Sequence, residues 1–74
     1  MSDRRAEIAR LEAYGEEAYD AMYDARRPKD CWEDASAAFR QAIRLAREEG
    51  LEDQADRLQA RLDHIHAVYD HQFR

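Results

Sequence analysis

Apolar and small residues recur along this chain at steps of three and four, and that spacing leaves little choice of fold. The first set is Ile8, Leu11, Gly15, Ala18, Met22 and Ala25. The second is Ala35, Ala38, Ala42 and Leu45, widened by Trp32, Phe39, Ile43 and Ala46. The third is Leu51, Ala55, Leu58, Leu62, Ile65 and Tyr69, with Val68 and Phe73 beside it. Such steps place each set on one face of an α-helix, and a helix with one apolar face must bury it against another. An all-α fold is therefore predicted: an antiparallel bundle of three helices, over about residues 3–26, 31–49 and 52–72.

Local signals punctuate these stretches. Pro28 has no N–H and disfavours helix at Arg27, so the first helix is expected to end near Ala25 or Arg26. Asp30 and Glu33 have the spacing of a capping box that opens the second helix. Gly50 follows Arg47-Glu48-Glu49 at the place of a left-handed C-terminal residue, and Leu51 is set for the apolar contact that accompanies it. Glu52, Asp53 and Asp56 put negative charge on the opening turns of the third helix, the end its dipole favours. Connections this short make consecutive helices antiparallel. No linker or low-complexity tract interrupts the pattern, so residues 1–74 read as one domain.

Size and charge exclude several function classes. With 74 residues there is room for a single small core. The net charge of -5 weighs against nucleic acid as a partner, because affinity for phosphates comes from cations. Residues 1–25 hold seven acids against three arginines, and the basic group Arg26, Arg27 and Lys29 is placed to complement the end of a helix dipole. No uncharged run is long enough to cross a bilayer, and the charged stretch from Met1 to Arg10 lacks the apolar core of a secretion signal. The one cysteine cannot form an internal disulfide, which fits a reducing compartment. A cytoplasmic location is the expectation.

The second helix carries a family resemblance. Its seam is alanine (Ala35, Ala38, Ala42, Ala46) with Phe39 as the one large side chain among them. Ala35, Phe39 and Ala42 match the A-x3-F-x2-A spacing of the second helix of a tetratricopeptide (TPR) repeat. The segment Gly50-Leu51-Glu52-Asp53-Gln54-Ala55 resembles the opening of a following repeat. The similarity covers about residues 32–60. No proline closes the second helix, and the W-x2-L-G-x2-Y pattern is reduced to Leu11, Gly15 and Tyr19. The chain thus resembles a free-standing TPR-like helical hairpin with one further helix, similar in layout to the microtubule-interacting-and-trafficking domain. Both families bind peptides or helices in grooves between helices, and the resemblance implies a protein partner.

Signs of catalysis or metal binding are few. His64, His66 and His71 cluster with Asp63 and Asp70, but the histidines stand two, five and seven apart, without the His-x3-His spacing that converges on a metal. Cys31, near Arg26, Arg27 and Lys29 at the start of a helix, lies where a thiolate is favoured. No general base accompanies it, and no phosphate-binding glycine loop is present. The expectation is a protein without enzymatic activity, cofactor or bound metal, with a thiol- or metal-dependent activity as the remote alternative.

The surface offers more. Tyr19 and Tyr23 lie one turn apart at the edge of the first apolar face, and tyrosines of this kind are common at protein interfaces. Arg57, Arg61, His64 and His71 form a basic stripe on the third helix. If the first and third helices line one groove, an aromatic wall faces a cationic one, suited to an acidic or carboxylate-bearing peptide. The predicted function is a small adaptor-like module that binds a partner peptide or helix through Tyr19, Tyr23, Arg57, Arg61, His64 and His71. The alternative is a structural protein that pairs with itself as a homodimer through Trp32, Ile43, Val68 and Phe73.

Overall fold

A computed structural model describes residues 3–73, and among them the chain forms three α-helices and no strand: α1 (Arg4–Met22), α2 (Pro28–Glu48) and α3 (Glu52–Gln72). None of the helices is long and apolar enough to cross a membrane. Asp3 caps α1, its carboxylate accepting from the N–H groups of Arg5 (3.1 Å) and Ala6 (3.3 Å), two of the donors a helix start leaves unpaired.

Both ends of the first connection differ from expectation. α1 stops at Met22 rather than near residue 26, because the chain there tightens into three-residue turns. The N–H of Tyr23 donates to the Asp20 carbonyl and that of Asp24 to Ala21. α2 then opens at Pro28, not at residue 31. Proline suits the first helical position, where its missing N–H would be unpaired anyway and its fixed φ is already helical. Asp30 consequently sits inside the first turn, pairing with Arg27 at 3.7 Å, and the predicted capping box on Asp30 and Glu33 does not form. The same shift places Cys31 one turn into the helix, partly buried.

The second connection follows the sequence closely. Gly50 adopts φ +73°, Leu51 N–H reaches back to the Ala46 carbonyl (2.8 Å) and Gly50 N–H to that of Arg47 (3.1 Å). This is the Schellman closure, and Leu51 packs against the core as the motif requires. α3 starts at Glu52 with Glu52 and Asp53 in its first turn.

α2 is the central element. It buries eight residues, among them Ala35, Ala38, Phe39, Ala42 and Ala46, while α1 buries Ile8, Gly15 and Met22 and α3 buries Ala55, Leu58, Leu62 and Ile65. It packs along both neighbours, whereas the backbones of α1 and α3 seldom approach each other. Phe39 is fully buried and its ring fills the space where Gly15 has no side chain: a Cβ at Gly15 would lie 2.6 Å from Phe39 Cε2. An ion pair between Arg4 and Glu49 joins the start of α1 to the end of α2, and Trp32 at the start of α2 stacks on Tyr69 near the end of α3. Both neighbours therefore run antiparallel to α2 and parallel to each other. The Cα atoms span 39 × 21 × 13 Å, a thin layer whose chemistry is on its outside.

Candidate interaction surface

The parallel run of α1 and α3 gives their side chains a constant register. Glu12 and Glu16 are four apart on α1, and Arg57 and Arg61 are four apart on α3, so each pair lies on one face of its helix. Arg57 donates from Nη1 to Glu12 Oε2 (2.6 Å) and from Nη2 to Oε1 (3.0 Å). Arg61 donates from Nε to Glu16 Oε2 (2.7 Å) and from Nη2 to Oε1 (2.7 Å). Two planar, bidentate rungs thus bridge helices whose backbones stand apart, which only a long, fork-shaped side chain can do.

The electrostatics follow from these contacts. The hydrogen bond from Arg57 holds the Glu12 carboxyl below its ordinary value, aided by the positive charges of Arg57 and Arg61 and opposed by partial burial. Both guanidiniums are in turn held above theirs, chiefly by the hydrogen bonds to Glu12 and Glu16. The surroundings stay wet, with the Arg57 side chain 54% exposed, so the rungs add little stability.

Beyond the rungs the surface becomes aromatic. The Arg61 guanidinium carbon lies 5.2 Å from the centroid of the Tyr19 ring, a cation–π contact. Tyr19 meets Tyr23 edge to face at 5.7 Å, and their hydroxyls are 3.1 Å apart. That hydrogen bond, with some burial, pushes the Tyr19 hydroxyl above its usual value. Tyr23 then meets Phe73 of the α3 end at 5.3 Å, again edge to face. A continuous path therefore runs Glu16, Arg61, Tyr19, Tyr23, Phe73, and Tyr23, between the other two rings, is 52% exposed.

The fold thus brings four of the six predicted residues together: Tyr19, Tyr23, Arg57 and Arg61. His64 and His71 are exposed on α3 and take no part in these contacts. Sequence reasoning missed Glu12 and Glu16, and named Phe73 only for self-pairing. Its signal for the acids was there, in an i,i+4 acidic pair matching the i,i+4 basic pair. The arginines accordingly do not form a purely cationic wall, since each carries a carboxylate on its guanidinium. Of the residues named for self-pairing, Ile43 lies in the core, while Trp32, Val68 and Phe73 are partly exposed.

Other parts of the surface are less organised. A shallow groove between α1 and α2 is lined by Leu11, Tyr14, Asp34, Ala37, Ala38 and Gln41, with Tyr14 53% exposed. Among the described residues, no three His, Cys, Asp or Glu side chains converge as a metal would need. Comparison with protein-family models, with curated proteins and with solved structures finds no match.

Proposed function

We propose that the protein is a cytoplasmic, non-catalytic interaction module that binds a partner peptide or helix along the α1–α3 face. The observation that carries this reading is the pair of Arg–Glu rungs ending in an exposed aromatic edge. Rings held in place by an ion pair lose little further freedom on binding, and tyrosine with arginine is the combination that dominates protein interfaces. The A-x3-F-x2-A spacing of α2 supports the same reading by its likeness to TPR repeats, which present helix-lined grooves to peptides. The partner chemistry that fits has apolar side chains for Tyr19, Tyr23 and Phe73 and polar groups for the exposed His64 and His71, since Arg57 and Arg61 already hold Glu12 and Glu16.

Selection from a displayed random-peptide library, followed by amide chemical-shift mapping of the selected peptides, tests this. Shifts gathered on Tyr19, Tyr23, Arg57, Arg61 and Phe73, with at least about tenfold weaker binding by the exposed Tyr23→Ala variant, are expected. Peptides mapping instead to the groove around Tyr14, or no selected peptide at all, overturn it. Reversing Arg57 and Arg61 alone would set four carboxylates against one another and strain the fold. The informative variant exchanges all four charges (Glu12→Arg, Glu16→Arg, Arg57→Glu, Arg61→Glu), which keeps the rungs and reverses what each helix presents. Sedimentation of the unliganded protein separates this reading from self-association, which requires a concentration-dependent mass.

A further inference from the structure

The start of α2 and the end of α3 meet through rings rather than through aliphatic side chains. The Trp32 indole lies nearly flat over His66, with centroids 5.0 Å apart and planes at 20°, and over Tyr69 at 5.5 Å and 12°. The same imidazole places Nε2 3.2 Å from Asp70 Oδ2, one turn further along α3. We propose that Trp32, His66 and Asp70 form a pH-responsive clasp that ties the last turns of α3 to the start of α2, closed when His66 carries a proton and looser when it does not.

Both contacts of the imidazole depend on its charge. A cation above an indole face is attracted by its quadrupole, and a carboxylate on Nε2 attracts an imidazolium; the neutral ring keeps only the stack and an uncharged hydrogen bond. Histidine is the side chain whose charge ordinarily changes between about pH 5 and pH 8. The neighbouring groups do not reverse the sign. On α3, Asp63 stands one turn before His66 and accepts from Gln59 Nε2 at 3.0 Å, adding negative charge on the same helix. On α2, the charged residues flanking Trp32 are Lys29, Asp30 and Glu33, all exposed and acidic on balance. Among the described residues, no α1 side chain pairs with His66. The clasp uses neither Arg57, Arg61 nor Tyr19, and it meets the proposed interaction surface only where the end of α3 carries Phe73.

Trp32 is the single tryptophan of the chain, and a protonated imidazole in contact quenches indole emission, so the clasp has its own optical readout. Emission of the wild type is expected to fall as pH drops from about 8 to about 5, through a transition that fits one proton. Amide exchange protection at residues 69–72 should rise over the same interval by about two- to fivefold, the range expected for an exposed pair. His66→Gln should abolish both changes, whereas His64→Gln and His71→Gln should leave them intact. His66→Phe keeps the stack without the charge and should show protection that does not depend on pH, with circular dichroism confirming full helicity. Asp70→Asn should retain the emission change but show a smaller gain in protection, since the indole contact remains. A transition that persists in His66→Gln, or wild-type protection equal at both ends of the range, overturns the clasp.

Discussion

The two sides of α1 are built on different physics. Toward α2 it presents Ile8, Gly15 and Met22 to a seam of alanines and one buried phenylalanine, so the two backbones close until a single Cβ would not fit. Toward α3 it presents Glu12, Glu16 and Tyr19, and the gap is crossed by guanidinium forks in partial contact with water. Area removed from water stabilises in proportion to its extent, whereas an exposed ion pair returns little after desolvation and side-chain ordering. The α1–α2 side should therefore carry the stability of the domain and the α1–α3 side its surface geometry.

Four measurements can break or sharpen that contrast, and the largest effect belongs to the apolar side. Phe39→Ala should cost roughly 3–5 kcal/mol, a large part of what a domain this small possesses, and urea unfolding followed by circular dichroism reads it directly. A loss below about 1 kcal/mol would mean that the α1–α2 seam is not the main support.

Gly15→Ala comes next, and its sign is the sharper test. Alanine gains up to about 1 kcal/mol over glycine inside a helix. Here the new Cβ meets Phe39 Cε2 at 2.6 Å and Cδ2 at 2.8 Å, on a ring with no exposed edge to move toward. Overpacking of this kind costs about 1–3 kcal/mol, so net destabilisation is expected, and it should shrink when Phe39→Leu is added. Additive effects of the two substitutions would show that the contact does not limit helix approach.

The polar side should respond to pH and salt, and only modestly. Because the folded protein holds the Glu12 carboxyl below its ordinary value, the contribution is present above the unfolded value of about 4.3 and disappears as pH falls through the lower folded one. Glu12→Gln should cost no more than about 1 kcal/mol near neutral pH and flatten the stability profile from about pH 5 downward. Salt near about 1 M should shrink the neutral-pH difference, since the screening length is then only about 3 Å.

The smallest effect runs in the opposite direction. Ser36 is 4% exposed and its hydroxyl has no hydrogen-bond partner among the described residues. Ser36→Ala removes that unpaired group from the α2 interface and improves helix propensity, so a gain of up to about 0.5 kcal/mol, read as a higher urea midpoint, is expected. A loss would point to a hydrogen bond through bound water.

Much of this contrast was legible along the chain, and unevenly so. The bounds of α3 and the closure at Gly50 were readable because each depends on residues a few positions apart: acids at a helix start, a glycine free to take positive φ, a leucine beside it. The alanine seam around Phe39 was readable for the same reason. The start of α2 was misread because Pro28 and Asp30 are both helix-opening signals two residues apart, and local chemistry does not rank them. The arginines were read as one stripe with His64 and His71 and without the carboxylates on them, since that contact spans 45 residues of sequence.

Sequence alone determined that this chain is three helices, where the turn at Gly50 closes, and which faces are apolar, because helical period, capping and backbone freedom are decided within a few residues. Tertiary structure decided which polar stripes meet. Only after α2 has drawn α1 and α3 onto its two sides do Glu12 and Glu16 come level with Arg57 and Arg61, and Tyr23 with Phe73. That register is set by the depth to which Phe39 sinks against Gly15 and by the lengths of two connections, quantities that belong to the packed molecule and to no single segment of it.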